Sequence, residues 1–181
     1  NDILFGGNGN DIAIGDKGND TIVGEAGSDI AIGGAGSDTV NGGIGNDVIL
    51  GDFLSPDFQG GFDGVDILDG DSGIDVVIGG GLGDDISGGN GDDILLGDYF
   101  LGLLNTSIPI PLGSLPTSFS ISPSGLQPNT LNLPIGSGNE GNDTIDGANG
   151  NDVIIGDRGF DSLNGDAGDD LILGGADADT A

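Results

Sequence analysis

The residues able to do chemistry in this chain are its aspartates, and they keep time. In the unit G-x-x-G-x-D-x-U-x, with U an aliphatic residue, the sixth position is filled by Asp2, Asp11, Asp20, Asp29, Asp38, Asp47, Asp66, Asp75, Asp85, Asp93, Asp143, Asp152, Asp161, Asp170 and Asp179. Most of the spacings are nine residues; the exceptions are Asp47–Asp66, Asp75–Asp85, Asp85–Asp93 and Asp93–Asp143. Histidine and cysteine are both absent, which removes disulfides, soft-metal sites and nucleophile–histidine catalysis. What remains is a periodic set of hard oxygen donors. Paired carboxylates also serve glycoside hydrolysis, but a site repeated at every unit does not single out one catalytic pair.

Composition says what those donors need. The 181 residues include 41 glycines and 31 acidic residues against 2 basic ones, a formal net charge of −29. Such a charge with so much glycine ordinarily marks disorder, yet the aliphatic residues are evenly spaced. Bound cations resolve the conflict by supplying the missing positive charge. Hard carboxylate and carbonyl oxygens in flexible turns favour Ca²⁺, which accepts six to eight oxygens, over Mg²⁺ or a transition metal. There is no basic patch to receive nucleic acid, an anionic membrane would repel the chain, and no apolar run is long enough for a spanning helix. The chain begins without Met and in mid-repeat, so the expectation is a piece of a longer repeat protein.

The elements that must position the aspartates are short strands. The three residues after each aspartate predict a strand whose middle residue points inward: Ala13, Ile22, Ala31, Val40, Ile49, Leu68, Val77, Leu95, Ile145, Ile154, Leu163 and Ile172. Three residues cannot stand alone, so stacking must supply the core. Units such as DIAI (11–14), DVIL (47–50) and DVII (152–155) are apolar throughout, whereas DTVN (38–41), DTID (143–146) and DSLN (161–164) are polar at their outer positions. The two kinds alternate, so two units form one coil of 18 residues. One sheet (sheet A) is apolar outside, and the other (sheet B) is more polar. The predicted fold is an all-β, right-handed parallel β-roll or β-helix solenoid forming one domain over 1–181.

Insertions fall at about 52–61 and 99–137, and the 79–85 turn reads as one residue too long. All of these lie in turns leaving sheet A, which gives one regular and one decorated edge. The longer insertion is rich in Leu, Ser, Pro and Asn, and its prolines exclude long helix and central strand. The outer columns of sheet A would form an apolar strip roughly 30 Å long at about 4.8 Å per rung, which a soluble monomer rarely leaves in water. Either the insertion or another molecule is expected to cover it. On sheet B, Thr21, Thr39 and Thr144 share an outer column that Ile67, Ile86 and Ser162 interrupt, a poor match to an ice-binding surface.

The units GGNGNDIAI, GGIGNDVIL, GGNGDDILL and GANGNDVII resemble the RTX, or haemolysin-type calcium-binding, nonapeptide GGxGxDxUx. The resemblance covers all but the two insertions. It implies a β-roll with Ca²⁺ between adjacent turns on each edge, held by turn carbonyls and sixth-position carboxylates. The carboxylate ligands would be Asp11, Asp20, Asp29, Asp38, Asp47, Asp66, Asp75, Asp85, Asp93, Asp143, Asp152, Asp161 and Asp170. The fourth-position glycines would be Gly9, Gly27, Gly45, Gly73, Gly91, Gly150 and Gly168 on the regular edge, and Gly18, Gly36, Gly141 and Gly159 on the other. Asp177 replaces that glycine in the last unit. Six gaps on one edge and seven on the other allow up to about 13 ions, whose charge would nearly cancel that of the chain, so folding and binding should be one event. Asp16, Asp52, Asp71, Asp98, Asp157 and Asp166, at the second turn position, read as solvated. The expected function is a non-enzymatic, secreted calcium-binding structural module of a cell-surface, sheath-like, filamentous or adhesive protein. The alternative is the C-terminal folding and secretion segment of an exported enzyme or toxin, since the family is commonly tied to type I secretion. Expected partners are calcium ions and a second copy or surface partner on sheet A, with no nucleic acid and no membrane span.

Overall fold

A computed structural model describes residues 1–52, 64–98 and 141–181. Within them every element is a strand, and no helix is long and apolar enough to cross a membrane. Sheet B stacks β1 (Ile3–Asn8), β3 (Thr21–Ala26), β5 (Thr39–Ile44), β7 (Ile67–Ser72), β9 (Asp85–Ser87), β11 (Thr144–Asp146) and β13 (Ser162–Asn164) in that order. Sheet A stacks β2 (Ile12–Lys17), β4 (Ile30–Ala35), β6 (Val48–Asp52), β8 (Val76–Gly80), β10 (Ile94–Asp98), β12 (Val153–Arg158) and β14 (Leu171–Ala176). Neighbours within each sheet pair in parallel, and successive strands belong to opposite sheets. The chain is therefore a β-solenoid of about seven turns with roughly 18 residues per turn.

Most strands are five or six residues long instead of the expected three. The reason is that each turn lies directly on the same turn of the next coil, so parallel pairing continues past the strand proper: Ile12 pairs with Ile30 and, five residues on, Lys17 pairs with Ala35. The turns are stitched as well. The amides of Gly9, Gly27, Gly45 and Gly73 donate to the carbonyls of Ala26, Ile44, Ser72 and Asn90 at 2.8–2.9 Å. Register survives the longer insertion intact, with Ile94 opposite Val153 and Leu96 opposite Ile155.

Between the sheets runs one column of aliphatic side chains, from Ile22 through Ile49, Val77 and Leu95 to Leu163, with Leu4, Ala13 and Ile172 packed against its ends. It includes every inward residue predicted from the sequence and adds Ile86. Ile86 was expected in the outer column of sheet B; that place belongs to the exposed Asp85, which pairs with Ile67 on one side and Thr144 on the other.

The outer face of sheet A carries a second apolar cluster, Ile30, Val48, Leu50, Val76, Ile78, Ile94, Leu96 and Ile155, with Ile32 and Val153 packed against it. These middle rungs are buried, whereas Ile12 and Leu171 in the end rungs are 71% and 53% exposed. The expectation that the 99–137 insertion covers this face falls outside the described residues.

Candidate metal sites

Each hexapeptide turn is built so that oxygen atoms crowd where side chains would otherwise be. The second and fourth positions take left-handed backbone, which glycine tolerates best. The second position nonetheless accepts Asp16, Glu25, Asp71, Ala148, Asp157 and Asp166 at φ of 59 to 79°. The first-position glycine is needed for space. A Cβ on Gly15 would lie 2.5 Å from Asp20 Oδ2 and 2.5 Å from the Gly33 carbonyl oxygen of the next coil. A Cβ on Gly42 would meet Asp47 Oδ2 at 2.6 Å and the Gly70 carbonyl oxygen at 3.0 Å. Each turn thus holds a small cradle in which a carboxylate oxygen and a carbonyl oxygen of the following coil converge.

The aspartates form two hydrogen-bonded ladders. On the regular edge the amides of Asp11, Asp29, Asp47, Asp75, Asp93 and Asp152 donate to Oδ1 of Asp29, Asp47, Asp75, Asp93, Asp152 and Asp170 at 2.7–3.0 Å. On the decorated edge the ladder runs from Asp2 through Asp20, Asp38, Asp66, Asp84, Asp143 and Asp161 to Asp179. One oxygen of each accepting carboxylate is thereby fixed. The other, Oδ2, is buried without a hydrogen-bond partner in Asp20, Asp29, Asp38, Asp47, Asp66, Asp75, Asp84, Asp93, Asp143, Asp152 and Asp161, as it is in Asp11, whose amide begins the regular ladder.

An unpartnered buried carboxylate oxygen is among the most costly groups a fold can contain, and here there are two rows of them. Burial pushes Asp47 and Asp93 up to about 6, Asp66 and Asp143 to about 7, Asp75 to about 8 and Asp84 to about 10. The backbone amide held by each carboxylate opposes the rise, and neighbouring carboxylates add to it. Asp29, Asp38, Asp152 and Asp161 rise for the same leading reason. Two basic side chains cannot neutralise such an array. No group of three or more acidic side chains able to hold a metal converges among the described residues, so a cation here must take most of its ligands from carbonyls. The orphaned oxygens and the carbonyl-lined cradles fit a large, hard cation of flexible geometry, which is the chemistry of Ca²⁺ and not that of Zn²⁺ or a compact Mg²⁺ site.

The structure brings twelve of the thirteen predicted aspartates into the ladders and corrects one. The expected Asp85 is replaced by Asp84, whose amide donates to Asp143 Oδ1 and whose Oδ1 accepts from Asp66. The 79–84 turn then has ordinary length, and Asp75, Asp84 and Asp93 are nine apart. Leu82 stands at its fourth position in left-handed backbone, φ 70°, a task done by glycine at the described positions Gly9, Gly18, Gly27, Gly36, Gly45, Gly73, Gly91, Gly150, Gly159 and Gly168. Asp177 takes the same conformation at φ 78°. Gly64 fills the fourth position before Asp66, as Gly141 does before Asp143; Gly64 was missed because the insertion hides its phase. The solvated second-position reading suits the exposed Asp16, Asp71 and Asp166 but fails for Asp52 and Asp98, which are 1% and 2% exposed.

With this geometry established, comparison with known proteins decides the family. The RTX calcium-binding nonapeptide repeat model matches residues 1–31, 23–53, 60–95, 136–163 and 146–181. This chain belongs to the RTX calcium-binding repeat family. The matched segments leave out only 54–59 and 96–135, so the RTX repeats account for every rung of both ladders and for both sheets apart from Leu96–Asp98 at the end of β10. No curated protein matches the chain. It is a calcium-binding repeat module of a kind typical of secreted proteins.

Proposed function

We propose that this RTX module is a non-enzymatic structural segment of an extracellular protein, of the cell-surface, sheath-like, filamentous or adhesive kind, and that it folds on meeting calcium outside the cell. The observation that carries this reading is the pair of ladders with their orphaned Oδ2 oxygens. Calcium would sit between adjacent turns of each edge, held by the ladder carboxylates and by turn carbonyls such as those of Gly33 and Gly70. Bound there, it supplies positive charge and a divalent cross-link from coil to coil. The chain's own part is to hold each carboxylate by its Oδ1, leaving Oδ2 turned to the cradle. Thirteen ladder steps offer up to about 13 such gaps. A chain of this charge would repel itself in a low-calcium cytosol and remain unfolded, which suits export before folding. Catalysis has no support in sites that repeat from coil to coil. The outer end rungs of sheet A, Ile12, Ile14, Leu171 and Leu173, favour contact with a second copy or a surface partner.

Calcium titration followed by far-UV circular dichroism, with the ion count measured on the folded protein, tests the reading. A coil-to-β transition with many ions bound supports it. Full β-structure in excess EGTA at neutral pH would falsify it.

A further inference from the structure

Asp52 and Asp98 occupy the same turn position and are the points at which the chain leaves the solenoid for the two insertions. At that position Asp16, Glu25, Asp71, Asp157 and Asp166 adopt left-handed backbone, and Asp16, Glu25, Asp71 and Asp166 face solvent. Asp52 and Asp98 instead end the strands β6 and β10 without taking that conformation, and their side chains are buried. At both insertion points the second-position carboxylate is thus buried, where Asp16, Glu25, Asp71 and Asp166 are solvated.

The two carboxylates then differ in what they meet. Asp52 is spoken for: its Oδ1 accepts from the Gly64 amide at 3.2 Å and its Oδ2 from the Gly81 amide at 3.0 Å, closing the mouth of the insertion. Asp98 Oδ1 likewise accepts from the Gly141 amide at 3.3 Å, but its Oδ2 is buried with no hydrogen-bond partner. Of the carboxylates around it, Asp143 acts on Asp98 most strongly, followed by Asp157 and Asp161. Asp52, which holds the equivalent amide in the same way, sends its Oδ2 to the Gly81 amide in the next coil's turn; the same disposition directs Asp98 Oδ2 at the gap between the Gly97–Asp143 turn and the 156–161 turn of the next coil. That gap already contains the unpartnered Asp143 Oδ2, and a Cβ on Gly97 would meet both that oxygen and, at 3.0 Å, the Gly156 carbonyl oxygen.

We infer that Asp98 is an additional ligand to the divalent cation of this one gap, making it a calcium site with one more carboxylate than the repeat itself provides. The inference rests on the calcium reading above and deepens it. More carboxylate charge on a calcium site means tighter binding, so this gap should fill first and hold its ion longest. It lies in the interior of the stack, between β10 and β12, where a first-bound ion can lock the coils that flank the longer insertion.

The test uses the full chain, with calcium itself as probe, and compares Asp98→Asn with Asp16→Asn, a control at the same turn position in solvent. Asparagine keeps an acceptor for the Gly141 amide. The expected result is that D98N loses one calcium from those retained after dialysis into low-calcium buffer and raises the calcium midpoint of folding by about tenfold or more, the scale on which ligand charge tunes such sites, while D16N changes neither. Equal retention and an unmoved midpoint in D98N would overturn the inference while leaving the calcium reading standing. Failure of the unmodified chain to bind calcium would overturn both. If D98N stays unfolded at saturating calcium, Asp98→Glu decides: recovery of folding with the retained ion supports ligation, and no recovery counts against it.

Discussion

Stripping the calcium and then lowering the pH should refold this protein. In the folded, metal-free state Asp75, Asp84 and Asp98 are pushed by burial to about 8, 10 and 9 from an ordinary 3.8. The folded chain therefore binds more protons than the unfolded chain above pH 3.8, so metal-free stability is greatest below that value and falls as pH rises through the folded pKa values. Each pH unit in that window costs about 1.4 kcal/mol per group. Between pH 5 and pH 7.5 the three groups together cost on the order of 10 kcal/mol, and Asp66 and Asp143, pushed up to about 7, add to it. That rivals the whole stability of a typical domain, roughly 5–15 kcal/mol. Circular dichroism in EGTA should show coil at pH 8 and returning β-structure as the pH approaches 5, a limit set by the isoelectric point of about 4.1, with light scattering to exclude aggregates. The calcium-loaded protein should move the other way, because protons compete with the ion for the same oxygens. A metal-free chain that stays coil from pH 8 to 5, with no aggregation, would refute the claim that buried carboxylate charge is what keeps it unfolded.

Other outcomes follow from single positions. Asp84→Asn should raise the calcium midpoint of folding, whereas Asp85→Asn, at an exposed position, should shift stability by no more than about 0.5 kcal/mol; the reverse ranking would restore Asp85 to the ladder. Leu82→Gly should stabilise the calcium-loaded protein by about 1 kcal/mol, because relief of a left-handed leucine outweighs the added freedom of the unfolded chain, and the melting temperature should rise by about 2–4 °C. Gly45→Ala should cost at least about 2 kcal/mol, since φ is 141° and a Cβ would strike the Gly27 carbonyl of the preceding coil; an unchanged calcium-loaded melting curve would count against the close stacking of turns.

The period of nine and the alternation of apolar with polar units carried most of this fold, because stacking leaves no freedom: each coil must repeat the heights of the last. Asp84 shows what decides when two local signals disagree. Gly83-Asp84-Asp85 offers a glycine two places before Asp85, which matches the motif, while the nine-residue phase selects Asp84. The phase prevails because slipping by one residue would break the amide bonds to Asp66 and Asp143 and turn Ile86 out of the core. Misplacing a glycine costs only a left-handed Leu82, about 1–2 kcal/mol. Asp98 was legible as an aspartate but not as a buried one. Its burial goes with a backbone that departs from the left-handed one of its counterparts, at the point where an insertion begins, and that departure leaves no mark in the unit's own pattern.

The insertions interrupt the repeat at a place the physics permits. In the turn that begins at Gly51, the second position is Asp52 and the fourth, fifth and sixth are Gly64, Val65 and Asp66; in the turn that begins at Gly97 they are Asp98, then Gly141, Asn142 and Asp143. Both times residues 53–63 or 99–140 stand in for the single third residue. The first-position cradle and the sixth-position ladder rung are kept: Asp66 Oδ1 still accepts from Asp38, and Asp143 Oδ1 from Asp84. In unbroken turns the third position carries Asn8, Lys17, Ala26, Ile44 or Arg158, side chains with no common chemistry, so its side chain is the one the cation chemistry does not use. The backbone of that position accepts the amide–carbonyl stitch between turns, as from Gly18 to Ala35. At Asp52 and Asp98 the inward-turned carboxylates take hold of the amides of Gly64 and Gly141 and close each mouth again. A repeat that folds around ions can thus be opened for tens of residues at one position and still present every ladder oxygen in register.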